Sequence, residues 1–146
     1  MNPVIGKSGQ SIHRLEDERL LKGKGRFIDN LNFKEQAYLQ IVRSYSANAK
    51  INIKNSDSVK KMTGVLGVFT GKNLMHEGIL PIPVTLSFKR PGGGPACSEP
   101  YHALSQGTVR FVGQPLAIVV AESREQALQA AGCLEVDYEE YPSVTD

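Results

Sequence analysis

The segment from Thr108 to Asp146 constrains the fold more than any other part of the chain, because it reads as strand, turn, strand, helix and strand. Apolar residues at alternate positions predict its first two strands, which are broken at residues 113–115: Val109, Phe111, Leu116, Ile118 and Val120. Ser123 and Gln126 then have the spacing of a capping box, in which each side chain binds the backbone of the other residue. The box predicts the start of a helix.

An apolar stripe continues that helix and is expected to face the core: Ala127, Leu128, Ala131 and Leu134. Cys133 lies beside the stripe and is expected to behave as a small hydrophobic residue. Val136 and Tyr138 open the last strand, which Pro142 ends. The C-terminal segment therefore predicts one complete strand–helix–strand unit.

A second unit of the same kind is predicted in the first half of the chain. Residues 37–44 and 49–55 alternate between apolar and polar side chains, which indicates two strands. The polar run at residues 55–58 offers several N-caps for a short helix. Residues 65–71 read as a buried strand.

Irregular structure is predicted in three places. Residues 1–12 read as a loose lead-in, and the glycines of residues 23–25 indicate a tight turn that enters a strand at Phe27 and Ile28. Residues 81–101 hold five of the eight prolines and the run PGGGP. Proline cannot donate to a sheet, and consecutive glycines maximise backbone freedom. A long loop of this kind is either functional or ordered by a partner, and we expect a partner.

Length and composition point to one soluble domain without a metal or disulfide framework. The 146 residues are enough to bury a core, and the net charge of +2 is too balanced to indicate nucleic acid binding. No apolar run reaches the length of a membrane span, and the first residues lack the apolar core of a secretory signal. Two cysteines are too few for a disulfide framework. A cytoplasmic location is expected.

Candidate reactive residues each have a simpler interpretation. The GKS sequence at residues 6–8 lacks the earlier glycine of a phosphate-binding loop. The three histidines, His13, His76 and His102, have no ligand partner at helical spacing and are interpreted as surface residues. Cys97 has no basic neighbour that would activate its thiol.

The acidic run EVDYEEY near the C-terminus also favours a structural interpretation. Glu135, Asp137 and Glu139 fall on one face of the predicted strand. A solvated strand face explains them better than general acid–base catalysis by a pair of carboxylates. The sequence therefore predicts no catalytic, cofactor-binding or metal-ligating residue.

Four blocks, in order and spacing, resemble a known family: RLEDERLLKGKGRFIDN, LQIVRSYSANAKI, GVLGVFTGKNL and VRFVGQPLAIVVAESREQALQAAGCLEVDYEEYPSVTD. They are similar to the N-terminal domain of the molybdenum-binding large subunit of the xanthine dehydrogenase and aldehyde oxidase family. The match is strongest to the branch of the carbon monoxide dehydrogenase large chain. It covers nearly the whole chain except the proline- and glycine-rich excursion.

The resemblance implies an α+β fold, the α/β hammerhead, in which a mixed sheet carries two helices packed on it. It implies a single domain over residues 1–146, with the Pro/Gly-rich loop at about 81–101. In the family, the molybdopterin cofactor and the catalytic glutamate belong to later domains. No catalytic, cofactor-binding or metal residue is therefore transferred to this chain, and we expect it to be inactive alone.

A scaffold role follows from the resemblance. The assembled enzyme would be a molybdenum hydroxylase with molybdopterin, iron–sulfur clusters and FAD. The expected partners are the remaining molybdenum-binding domains of the large subunit, together with the iron–sulfur and flavin subunits. The substrate stays open among carbon monoxide, aldehydes and purines.

Alternatives to that scaffold role remain at this point. Because the chain stops at Asp146, soon after the last predicted strand, it is expected to be either an excised domain or a natural subunit of a split large chain. A stand-alone interaction module that kept the fold without the enzyme is the main rival. A small independent enzyme that uses Cys97 or the acidic strand is the third hypothesis.

Overall fold

Two units make up the chain in the computed structural model, residues 1–34 and residues 35–146. The structure describes these parts of the chain: residue 9 and residues 14–85, 88–96 and 100–144. The GKS sequence at residues 6–8, His13 and Cys97 lie outside the described residues, so the predictions made for them stay predictions.

The first unit contains a short helix, α1 (Asp17–Leu21), where the sequence predicted no regular element. Lys22 Nζ donates to Glu18 Oε1 at 2.5 Å, one helical turn away. The turn predicted at the glycines is confirmed, with Gly23 at a φ of 67°. The strand predicted at Phe27 and Ile28 is wrong. The chain instead forms a 3₁₀ turn at Ile28–Asn30, because the Asn30 side chain accepts a hydrogen bond from the Phe27 N–H at 3.3 Å.

The second unit contains two antiparallel three-stranded sheets. Sheet A has the strand order β1–β5–β3, with these bounds: β1 Tyr38–Arg43, β5 Pro115–Ala121 and β3 Val65–Thr70. Sheet B has the order β4–β2–β6, with these bounds: β4 Thr108–Val109, β2 Ala49–Ile53 and β6 Val136–Glu140. Every predicted strand of the two strand–helix–strand units is present.

Three further helices complete the second unit: α2 (Ser56–Lys60), α3 (Gly71–His76) and α4 (Arg124–Gly132). The chain passes through α2 from sheet B to sheet A and through α4 from sheet A back to sheet B. The α+β class with helices packed on a sheet is confirmed. The strands form two sheets rather than one mixed sheet, because each crossover leads to the other sheet and all the described pairings are antiparallel.

Two apolar clusters form the core. The larger one packs α2 and α4 on one face of sheet A through these buried residues: Val59, Val68, Ala117, Val119, Ala130 and Leu134. The smaller one joins sheet B to the start of β5 through Ala49, Ile51, Val109 and Leu116. Small side chains at 117 and 130 let the helix lie close to the central strand.

The inward face of α4 differs from the predicted stripe by one residue. Ala127 and Ala130 are buried, whereas Leu128 is 61% exposed. The positions that face the sheet follow the i, i+3, i+4, i+7 spacing from Ala127, and Leu128 lies about 100° away from Ala127 around the helix. Cys133 follows the end of the helix and is exposed, so its predicted role as a small hydrophobic residue is wrong.

Asn55 holds the two strand–helix–strand units together. Its Nδ2 donates to the Cys133 carbonyl, and its Oδ1 accepts from the Glu135 N–H, both at 2.9 Å. Asn55 was one of the predicted N-cap candidates for α2, but its side chain does not cap that helix. Both hydrogen-bonding atoms of the Asn55 side chain bind the backbone of the turn after α4 instead.

A loop of four residues, 104–107, connects both sheets with α3. Its Ser105 N–H donates to the Pro115 carbonyl of sheet A at 2.9 Å, and its Gly107 carbonyl accepts from Ile51 of sheet B at 2.9 Å. Gln106 Nε2 donates to the Gly71 carbonyl at 2.9 Å. A Cβ at Gly71 would lie 2.1 Å from the Ser105 carbonyl oxygen. The loop can reach α3 only because residue 71 has no side chain.

We predict that Gly71→Ala lowers the free energy of unfolding by about 2–4 kcal/mol, because backbone must move to admit the methyl group. Gly132→Ala is the matched control, since a Cβ there has no atom within 4 Å and replaces glycine in a helix. That variant should gain about 0.5–1 kcal/mol. Urea denaturation measures both. Equal stability of the two variants would contradict the close approach of the loop.

Candidate interaction surface

One face of sheet A packs against the helices, and the opposite face carries apolar side chains that are only partly covered. Residues directly opposite each other in antiparallel strands share a face. Ile41 and Phe69 both lie opposite Ile118, and Leu39 lies opposite Val120. These five residues form a continuous apolar surface, which we call the open face.

The open face is exposed at its edges and half-buried at its centre. Leu39 is 55% exposed and Phe69 is 45% exposed, whereas Ile118 and Val120 of the central strand are half-buried. The Phe69 ring lies over Gly67, where a Cβ would come within 2.8 Å of it. Central-strand isoleucine and valine normally lie beneath a second layer, so a contiguous surface of this kind indicates an interaction site.

Leu116 marks the end of the open face. It lies two residues before Ile118 on the same side of β5, and it is fully buried in the cluster with sheet B. Sheet B therefore covers the first residue of this face and leaves the rest uncovered within the second unit. This face of β5 is apolar along its whole length. In the described part of the chain, Leu116 is buried against sheet B, whereas Ile118 and Val120 are only half-buried.

The titratable residues singled out in the sequence are dispersed. His76 and Glu77 follow one another at the end of α3, with 3.7 Å between Nδ1 and Oε1, and both are largely exposed. The predicted solvated face of the acidic strand is confirmed, since Glu135, Asp137 and Glu139 are all exposed. Among the residues that the structure describes, no three His, Cys, Asp or Glu side chains form a metal-binding group.

Two groups in sheet B have shifted pKa values. The hydrogen bond and charge of Asp137, whose Oδ2 lies 2.6 Å from Lys54 Nζ, raise the pKa of the lysine above its ordinary value. Burial raises the pKa of the Tyr138 phenol, and a hydrogen bond with Ser44 offsets part of that effect. The Tyr138 ring also packs on Tyr45, with 4.2 Å between centroids. The ion pair with Asp137 and the packing on Tyr45 therefore account for the surroundings of these two groups.

Residues 22–142 match the family model described as the aldehyde oxidase and xanthine dehydrogenase a/b hammerhead domain. The chain belongs to this family. The resemblance stated from the sequence is thereby confirmed, including its branch, because carbon monoxide dehydrogenase large chains are among the relatives.

Two curated relatives show how much of a longer protein the hammerhead chain matches. The nicotine 6-hydroxylase large subunit of Paenarthrobacter nicotinovorans is 32% identical over 98% of this chain and 16% of its own length. The carbon monoxide dehydrogenase large chain of Hydrogenophaga pseudoflava is 30% identical over 90% of this chain and 15% of its own length. The chain thus spans about one-sixth of the length of these two relatives.

Solved structures agree with the hammerhead fold. Quinoline 2-oxidoreductase from Pseudomonas putida 86 superposes with a TM-score of 0.75 at 34% identity, over 94% of this chain and 17% of that one. Reconstituted CO dehydrogenase from Oligotropha carboxidovorans superposes with a TM-score of 0.77 at 29% identity, over 94% and 16%. In the described part of the hammerhead chain, no helix is long and apolar enough to cross a bilayer.

Sequence reasoning found the strands of the open face but not the surface itself. The alternation of residues 37–44 predicted the strand β1, and the register places Leu39 and Ile41 on one side of it. It took the strand containing Phe69 as buried, whereas Phe69 is 45% exposed. The signal that was missed is the number of predicted helices. Two short helices can cover only one face of a three-stranded sheet, so the other face is expected to stay exposed.

We predict that the free energy of unfolding of the hammerhead chain falls above about pH 10, the ordinary pKa of tyrosine. A folded-state pKa that is raised stabilises the fold fully below the unfolded-state pKa, and this contribution is lost as the pH rises through the folded-state value. Tyr138 and Lys54 both act in this direction. Tyr138→Phe should flatten the decline relative to the unaltered protein, measured by urea denaturation across the alkaline range. An unchanged slope in Tyr138→Phe would contradict the assignment.

Proposed function

We propose that this chain is the N-terminal scaffold domain of the large subunit of a molybdenum hydroxylase, or a separate subunit with the same role. The assembled enzyme would be an oxidoreductase of the aldehyde oxidase, xanthine dehydrogenase and carbon monoxide dehydrogenase kind. Membership of the hammerhead family supports this proposal, as does the match to about one-sixth of each longer relative. The chain would be inactive alone.

The observation that carries the proposal is the open face of sheet A. Leu39, Phe69 and the half-buried side chains between them form an apolar surface on the side of the sheet opposite to α2 and α4. Removing such a surface from water stabilises an assembly by roughly 25 cal/mol per Å². A domain that functioned without partners would gain nothing from an exposed apolar surface, and copies of it would tend to associate with one another.

We propose that molybdopterin, iron–sulfur clusters and FAD are held by the other domains and subunits of the assembled enzyme, and that this chain helps to position the domains that hold them. The match to only about one-sixth of the length of two relatives supports this part of the proposal. Among the described residues, no three His, Cys, Asp or Glu side chains gather into a metal-binding group.

Three further features belong to the same proposal. Residues 1–146 would act as a single hammerhead domain, which agrees with a family match that runs from residue 22 across the boundary between the two units. The partners would be the remaining molybdenum-binding domains and the iron–sulfur and flavin subunits. The location would be cytoplasmic.

The test is to purify the protein with its native partners and to measure molybdenum by mass spectrometry. We expect the amount of molybdenum in the purified sample to be proportional to the amount of this protein. This should hold whether the metal-bearing domains are on the same polypeptide or on another. A metal-free protein with no larger partner would overturn the proposal and favour the stand-alone interaction module.

A pair of variants tests the open face itself. Leu39→Lys places a charge on this face and should lower the molybdenum content of the purified protein at least about tenfold, because burying an unpaired charge is costly. Leu128→Lys makes the same change at an exposed leucine on α4 and should leave the content unchanged. Equal molybdenum in both variants would show that the open face is not the docking surface.

A further inference from the structure

Each sheet has two edge strands, and three of these four edges carry features that oppose pairing with another chain. Backbone groups on the outer side of an edge strand can bond an added strand, so proteins protect such edges with charges, bulges or short strands. β4 has only two residues, and β6 carries three carboxylates among its five residues: Asp137, Glu139 and Glu140. β3 has a register shift between Val65 and Gly67, and a glycine inside a strand weakens it.

β1 is the remaining edge strand, and it lacks these features along its first five residues. In the described part of the chain its neighbouring strand is β5, on one side. Its sequence, YLQIVR, contains no proline, glycine or acidic residue, and its one charged side chain, Arg43, is at the end. The register shift of this pair also lies at the end, between Val42 and Arg43. β1 therefore presents a regular and uncharged edge, which is the kind that accepts an added strand.

Hydrogen bonds at the start of β5 show which of its residues bond β1. The Gln114 carbonyl accepts from the N–H of Ser44, the residue after β1, at 2.9 Å. The Pro115 carbonyl accepts from Ser105, in the loop that contacts the residue after β3, also at 2.9 Å. Backbone groups of successive residues in a strand point to opposite sides. The even-numbered residues of β5 therefore bond β1, and the odd-numbered ones bond β3.

The backbone groups of alternate residues in β1 consequently point away from the sheet. Leu39 and Ile41 lie opposite even-numbered residues of β5, so their N–H and C=O groups bond β5. The N–H and C=O groups of three other residues point outward: Tyr38, Gln40 and Val42. We call these outward groups the β1 edge.

The β1 edge is continuous with the open face of sheet A. Leu39 and Ile41 carry side chains of the open face on the strand that forms the edge, and Leu39 is 55% exposed. Side chains alternate between the two faces of a strand. An added strand would therefore place every second side chain beside Leu39 and Ile41. A single partner can thus pair with the β1 edge and cover the open face.

A second copy of this chain does not meet both needs. Two copies of β1 paired antiparallel would be related by a two-fold axis perpendicular to the sheet, so both open faces would lie on the same side. Such a pair would double the uncovered apolar surface. The part of the enzyme outside this chain, about five-sixths of the length of the two relatives, can instead supply both a strand and a covering layer.

We propose that a strand from the molybdenum-bearing part of the assembled enzyme pairs with the β1 edge and adds a fourth strand to sheet A. The inference rests on the proposed function, because the strand belongs to the domains that this chain does not match. Main-chain hydrogen bonds would fix the register between the two parts, and apolar side chains at alternate positions of the added strand would extend the open face. The edge would set the position of the domain, and the open face would supply the buried apolar area.

Amide hydrogen exchange in the assembled protein tests the pairing, read at single residues by mass spectrometry and corrected for each residue's intrinsic rate. Gly67 and Phe69 are the internal control, because they lie opposite even-numbered residues of β5 and their N–H groups point to the outer side of β3. The Gln40 and Val42 amides should exchange at least about tenfold more slowly than those two. Equal rates at the two edges of sheet A would contradict the pairing.

A pair of variants at Gln40 tests the same bonds through assembly. Proline is tolerated in an edge strand where its missing N–H faces outward, so Gln40→Pro removes one outward donor and keeps the bonds to β5. It should lower the molybdenum content of the purified protein at least about tenfold, because an acceptor of the partner strand is left unpaired. Gln40→Ala keeps the N–H and should leave the content unchanged. The exchange measurement uses the unaltered protein and does not depend on the folding of either variant.

Photo-crosslinking in the assembled protein identifies the added strand. A photoreactive benzoylphenylalanine in place of Tyr38, the aromatic first residue of β1, should crosslink to a peptide of the molybdenum-bearing part. Crosslinks only within this chain, or only to a second copy of it, would overturn the inference. Equal molybdenum in the unaltered protein and in Gln40→Pro would also overturn it and would leave the scaffold role standing. Absence of molybdenum from the unaltered protein would overturn both.

Discussion

The close approach of the 104–107 loop to Gly71 is the constraint on which the second unit depends. Four consecutive residues contact three elements: Ser105 bonds β5, Gln106 bonds the first residue of α3, and Gly107 bonds β2. Leu104 is buried at the same point. Since sheets A and B share no strand, they are held together by this loop, by the α2 and α4 crossovers and by the apolar cluster around Leu116.

The same arrangement explains why one face of sheet A stays uncovered. The chain passes through α2 and α4 on one side of the sheet, and sheet B reaches the other side only as far as Leu116. Ile118 and Val120 continue the apolar pattern beyond that point and are half-buried between the residues of β1 and β3 that lie opposite them. A three-stranded sheet with two buried faces needs two covering layers. The described part of the second unit supplies one covering layer and part of the other. The core of the hammerhead is therefore incomplete.

Local patterns in the sequence predicted elements well and their partners poorly. The alternation at Ile51 and the cap at Ser123 depend on neighbouring residues, and both strand–helix–strand units are where the sequence placed them. The capping box is only half formed, since Ser123 Oγ accepts from the Gln126 N–H at 3.2 Å, whereas the Gln126 side-chain amide packs over Gly64. Gly64 lies 62 residues earlier in the sequence and is close to Gln126 only in the fold. The exposure of Phe69 likewise depends on what covers the sheet. The resemblance supplied the family, and no local pattern could replace it.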